Sequence, residues 1–144
     1  MKKKLLPLLL FIFVLLAAGT VDNAQDMKAK KWDNAHWKSI HLIKFQSGKM
    51  PRAKEIIQKY FAKAGQKAGL SGPSLEVDLV TGDYDMMVVW DMKGGVEDLN
   101  WETSPDDAKW YGAMSDIAGG ADKAKTLQDE FSSLIVRETS YLGK

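Results

Sequence analysis

Trp37-Lys38-Ser39-Ile40-His41-Leu42-Ile43-Lys44-Phe45-Gln46 is the stretch whose reading decides the fold. Trp37, Ser39, His41, Ile43 and Phe45 fall on one side of an extended chain, and Lys38, Ile40, Leu42, Lys44 and Gln46 fall on the other. A period of two is the mark of a strand. Both sides carry apolar residues, which predicts a strand covered on two faces, as at the centre of a sheet.

Downstream, Ser47-Gly48-Lys49 reads as a turn, and Pro51 suits the first turn of a helix, where its missing N–H has no intrahelical partner to lose. Ala53, Ile56, Ile57, Tyr60 and Ala64 then recur at helical spacing, with Lys54, Gln58, Lys63 and Lys67 on the opposite side. Gly65, Gly69 and Ser71-Gly72-Pro73 are expected to end that helix. Leu75 to Val80 alternates again, Thr81-Gly82-Asp83 makes a hairpin turn, and Tyr84 to Met92 returns as a second strand. In this strand Tyr84, Met86, Val88 and Trp90 share one face. After Gly94-Gly95 the chain reads as helix in two pieces. Ser104 is the expected N-cap, with Asp106 and Asp107 in the first turn, and Gly119-Gly120 is the interruption before Ala121, Ala124, Leu127, Phe131 and Leu134. Ile135 to Leu142 closes the chain as a strand.

The order strand, helix, strand, strand, split helix, strand is the ferredoxin-like β-α-β-β-α-β arrangement, an α+β fold with a four-stranded antiparallel sheet and helices on one face. The other face is expected to include Ile43, Phe45, Met86, Val88 and Trp90. An apolar patch of that kind needs a cover, and a second copy of the chain is the simplest one, since a two-fold axis lets one patch serve twice. The expected partner is therefore a homodimer mate through the sheet face.

Composition narrows the chemistry. The chain has 144 residues, with 20 basic and 19 acidic side chains, a formal net charge of +1 and no cysteine. Near-neutral charge argues against a nucleic-acid partner, and the lack of cysteine excludes disulfides and thiolate chemistry. Lys2, Lys3 and Lys4 precede an apolar run from Leu5 to Ala18, and small or polar residues follow it. This pattern predicts a signal peptide over residues 1–25, a flexible lead-in over 26–36 and a single domain over 37–144. The run contains Pro7 and is shorter than the ~20 residues a membrane span needs, so no membrane association is expected after cleavage, and a periplasmic or extracellular location is.

Three stretches, Ile40 to Phe45 before Gly48, the amphipathic helix after Pro51, and Tyr84 to Trp90, together resemble the dimeric α/β-barrel superfamily over about Trp37 to Leu142. That superfamily includes antibiotic-biosynthesis-type and haem-degrading monooxygenases and stress-responsive barrel proteins. The resemblance implies two ferredoxin-like subunits with their sheets face to face and a pocket beside each sheet. It also implies a tryptophan directed at the cofactor in the haem-degrading members, at the place of Trp90. Their haem-ligating histidine would fall near Asn100, Trp101 and Glu102, and no histidine follows His41. No cofactor is therefore expected.

His41 is the candidate catalytic residue, because an imidazole on the pocket face can serve as acid or base near neutral pH. The alternative is a strand histidine that bonds a neighbour and fills space. Trp90, Met86, Tyr84 and Phe45 are candidate ligand contacts from the sheet, and Trp110 and Tyr111 from the helices. Glu76 and Asp78, two residues apart, project together and with His41 can form an acid–base or weak metal cluster if all three share the pocket. No dedicated metal motif is present, and no serine is marked as a nucleophile. The expected function is binding of a small apolar or aromatic molecule. Cofactor-independent monooxygenase or isomerase chemistry at His41 and a non-enzymatic assembly role are the alternatives.

Overall fold

Four strands pair in the order β2-β3-β1-β4, every neighbour antiparallel. In this computed structural model residues 28–144 are described. The expected signal peptide lies outside them, residues 28–33 form no helix or strand, and Asn34–Lys144 is one contact-dense unit. β1 (Lys38–Phe45) leads through Gly48, whose φ of 71° only glycine adopts at ease, into α1 (Met50–Ile56). A π-helical turn, Ile57–Phe61, joins α1 to α2 (Ala62–Lys67). Gly65 lies inside α2 rather than ending it. The stop is Gly69, at φ 69°.

β2 (Leu75–Asp78) and β3 (Met86–Asp91) follow, then a 3-10 turn, Gly95–Asn100. α3 (Pro105–Ala118) starts from a full capping box between Ser104 and Asp107, as two adjacent polar groups satisfy each other's backbone donors, and it ends at left-handed Gly119. α4 (Ala121–Ser133) runs directly into β4 (Ile135–Gly143). The predicted β-α-β-β-α-β order is the observed one.

The faces of the sheet differ from expectation. Ile43 and Met86 are cross-strand partners, and they pack with Phe45, Ala53, Ile56 and Leu134 in the main core. The helices therefore lie on the face of Ile43, Phe45, Met86, Val88 and Trp90, which was expected to be the open one. The reason lies in the apolar sides of α1 and α4: Ile56, Ile57 and Phe131 need a sheet face with large apolar residues, and Phe45 and Met86 bury almost completely against them. Neither core draws on the opposite face, where the partners Ile40 with Val89 and Leu42 with Met87 stand side by side. A second core joins the helices, with Ala64, Ala113, Met114 and Ala124 buried among them. Met114, with no exposure, is the largest buried side chain of this helix contact. Arg52 fastens α1 to α4 by a two-pronged bond to Glu130, Nε to Oε1 at 2.7 Å and Nη2 to Oε2 at 2.9 Å. Its third donor, Nη1, reaches Glu55 at 2.7 Å.

Candidate functional site

Antiparallel register sets the side chains on the helix-facing side of the sheet in rows. One row runs Glu76, Val88, His41, Ser140 across β2, β3, β1 and β4, and the next runs Asp78, Met86, Ile43, Glu138. The sequence sets Glu76 and Asp78 on the side of their strand away from Leu75 and Val77, as candidate partners of His41. They share the helix side, and Leu75 and Val77 take the other. Pairing with β3 decides this, because direct partners project from the same face and Met86 and Val88 face the helices.

Between this face and the helices lies a pocket of about 530 Å³. Its floor is Ile43, Met86 and Val88, and Ile57, Phe61, Trp110 and Phe131 close it from the helix side. Phe61 stands edge-to-face to both Trp110, at 5.4 Å between centroids, and Phe131, at 5.1 Å. The π turn bears on this wall, since Ile57 and Phe61 are its first and last residues and both line the pocket. An extra residue in the turn rotates the helix locally and is a recurrent feature of binding walls. Trp110 Nε1–H donates to the Phe61 carbonyl at 3.2 Å, which fixes the indole relative to that turn. A more polar hollow of about 750 Å³ adjoins the pocket, and Trp90 and Trp110 border both.

The polar part of the wall is ordered by hydrogen bonds. Glu138 Oε1 lies 2.7 Å from His41 Nδ1, Ser140 Oγ lies 3.1 Å from the same nitrogen, and Ser39 Oγ lies 2.8 Å from Nε2. A carboxylate only accepts, so the hydrogen of Nδ1 goes to the Glu138 side, and Nε2 bonds the Ser39 hydroxyl, which can donate to it or accept from it. Both ring nitrogens are thus engaged. A proton can pass between a bound molecule and the Glu138 carboxylate or the His41 ring, both of which line the pocket, while Ser39 bonds the ring from outside the lining.

His41, Trp90, Met86, Glu76 and Trp110 all line this one pocket. Phe45 lies beneath it in the core, 2% exposed, packed at 6.3 Å against Phe131. Asp78 is outside the lining and bonds Lys54 of α1. Tyr111 is half exposed and touches the outer edge of Trp110 instead. Tyr84 is on the opposite face of the sheet from the one its alternation predicted. The chain bends at Asp85, whose carboxylate takes the Phe45 N–H at 2.8 Å and Lys44 Nζ at 2.8 Å, so the period of two fails there. Tyr84 then donates to or accepts from Thr139 Oγ1 at 2.6 Å and lies under Arg137, 4.7 Å from its centroid.

Ser39 and Glu138 are the participants that sequence reasoning missed. Ser39 had a signal, since it sits two residues from His41 on the same strand face. Glu138 had none, because only the β1–β4 register brings it beside a histidine 97 residues away. Among the described residues no group of three or more histidine, aspartate or glutamate side chains can hold a metal ion, and no helix is long and apolar enough to cross a membrane.

No protein-family model matches the chain, and no curated protein does. Among solved structures, one similar chain is a NIPSNAP family protein of unknown function from Agrobacterium tumefaciens strain C58, 9% identical, with a TM-score of 0.52 over 81% of this chain and 93% of that one. A second crystal structure of the same Agrobacterium tumefaciens protein aligns at 12% identity, with a TM-score of 0.51 over 75% of this chain and 91% of the other. At such identities the likeness shows a common fold, the four-stranded antiparallel α+β architecture of the ferredoxin-like type.

Proposed function

We propose that the chain is an exported protein that holds a small apolar or aromatic molecule between its sheet and its helices, with the Ser39–His41–Glu138 array available to move a proton on that molecule. The observation that carries this reading is the convergence of His41, Glu138 and Trp90 on the wall of one mainly apolar pocket. A pocket of that size with a few convergent polar groups is the usual form of a small-molecule site. If the protein is catalytic, the reading favours cofactor-independent oxygenase or isomerase chemistry, in which His41 or Glu138 meets the substrate and Ser39 holds the imidazole from behind.

The proposed partner is a second copy of the chain, seated on the helix-free face of Ile40, Leu42 and Met87, beside Val89, which is already buried within the single chain. That choice follows from the apolar row there, and it leaves the pocket face to the helices. Export rests on the basic and apolar segment at Lys2 to Ala18, and N-terminal sequencing of the secreted product tests it directly.

Thermal unfolding in the presence of indole and naphthalene derivatives tests the pocket. A binder should raise the midpoint with concentration, by the equivalent of about 2.7 kcal/mol at a hundred times its Kd. Gly65 lines the pocket and a Cβ built there meets nothing within 4 Å, so Gly65→Leu should fill the space, keep the fold and abolish the ligand effect. A midpoint that ignores every ligand and rises only with protein concentration would refute the binding role in favour of assembly.

A further inference from the structure

We infer that the pocket selects an organic cation, a protonated or quaternary amine carried on an aromatic or apolar body. The inference rests on the pocket-binding reading above and adds the sign of the ligand's charge. The lining contains two carboxylates, Glu76 on one edge strand and Glu138 on the other, and neither a lysine nor an arginine. Of the nearby basic side chains, Lys54 is paired with Asp78, Lys44 with Asp85, and Arg52 with Glu55 and Glu130, while Lys93 lies outside the lining in the adjoining hollow and donates to the Ser71 hydroxyl at the shared rim, 3.3 Å away. Arg137 lies over Tyr84 on the far face.

Glu76 has no hydrogen bond or ion pair among the described residues, and Glu138 gives only Oε1 to His41. Each therefore retains a free oxygen at the pocket. The remaining wall is rich in rings, with Phe61, Trp90, Trp110 and Phe131 together on one cavity. Ring faces carry negative charge density and attract a desolvated cation, an ammonium or its methylated form. An anion entering the same space meets two carboxylates and no fixed positive charge, and loses its hydration without replacement. A neutral molecule of the same shape gains apolar burial alone. Apolar size and aromatic stacking are thus shared by all three, and the charge term separates them.

Calorimetric titration of the purified protein with tryptamine, tryptophol and indole-3-propionate isolates that term, since the three share an indole and differ at the tail. The corresponding naphthyl triplet extends the test to a larger body. Tryptamine should bind about tenfold more tightly than tryptophol, with the propionate weakest. In the double variant Glu76→Gln with Glu138→Gln, the amine should fall to within about twofold of the alcohol, and heat still given by the alcohol shows that the pocket remains formed. Equal or tighter binding of the alcohol or the acid in the unmodified protein overturns the inference and leaves the pocket reading standing. A preference for the amine that survives in the double variant overturns the assignment to these carboxylates. Absence of heat from all six compounds overturns the inference and the pocket reading together.

Discussion

Met86 and Met87 are consecutive on β3, yet one is sealed beneath the helices and the other faces away from them. The same contrast runs along the whole sheet. On the helix side the apolar pattern is broken by Ser39, His41, Glu76 and Glu138, and the packing there leaves a pocket. On the other side Ile40, Leu42, Met87 and Val89 form an unbroken apolar row, bounded by the ion pairs Lys38–Asp91 and Lys44–Asp85. Polar groups are tolerated beside a core only where their hydrogen bonds are met; the His41 network meets those of Ser39, His41 and Glu138, and Glu76 is open to solvent. The helix-side face carries its polar groups into a pocket, whereas the other face sets its polar groups, Tyr84, Thr139 and Arg137, around an apolar centre that neither hollow reaches.

Truncating the two methionines separates the faces most sharply. Met86→Ala removes a side chain with no exposure and leaves a cavity in the main core, so it should cost about 2–5 kcal/mol in urea unfolding. Met87→Ala, at a half-buried position, should cost roughly 1 kcal/mol or less at low protein concentration. If the second copy sits on that face, the Met87 penalty should grow with protein concentration, while the Met86 penalty should not. Equal, concentration-independent penalties would erase the distinction between the two faces.

Acid titration gives a smaller difference. The Asp85 carboxyl is held below its ordinary value by Lys44 and by the Phe45 N–H, and Glu55 is lowered to about 2 by Lys59 and Arg52. A carboxylate whose folded value is lowered stabilises the fold fully above about pH 4, the unfolded value, and loses that contribution as the pH falls through the folded value. Asp85→Asn should therefore weaken the protein near neutrality and flatten the decline of stability between pH 4 and lower pH. Asp85 is a part-buried group that also fixes the bend before β3, whereas Glu55 lies in a more solvated network on the helices, where screening reduces the gain. Glu55→Gln should accordingly flatten the same limb less. Unfolding midpoints of both variants, followed from neutral pH downward, would show the order, and the reverse order would contradict it.

How much of this was legible in the sequence depends on the range of the interaction that decides each feature. Local rules sufficed for the order of elements: Pro51 and the Ser104–Asp107 capping box mark helix starts, and Gly48, Gly69 and Gly119 sit where a positive φ is required. The choice of face was not legible. Ile43 and Leu42 are equally apolar, so alternation shows that two faces exist and leaves open which one the helices cover. The side taken by Glu76 and the approach of Glu138 to His41 are matters of register between strands, which no local pattern encodes. Tyr84 failed for another reason, because Asp85 exchanges a ladder position for a carboxylate bond to the Phe45 N–H and bends the chain. His41 and Trp90 were found by position alone, and the bonds to Ser39 and Glu138, which decide where a proton can travel, came with the tertiary structure.

The smallest expected effect tests the pocket wall itself. Gly65 has an ordinary helical place in α2, and a Cβ there meets no atom within 4 Å. Gly65→Ala therefore brings no clash and restricts the unfolded chain, so it should stabilise the protein by about 0.5–1 kcal/mol. A glycine that improves on replacement and still occupies a binding wall fits a need for space rather than for backbone freedom. The same methyl should slightly weaken the amine ligand while raising the unfolding midpoint, a pair of opposite signs that the helix-free face cannot produce. If Gly65→Ala instead destabilised the fold, the space above it would be filled by the packing of the helices, and the difference between the two faces would reduce to one of covering alone.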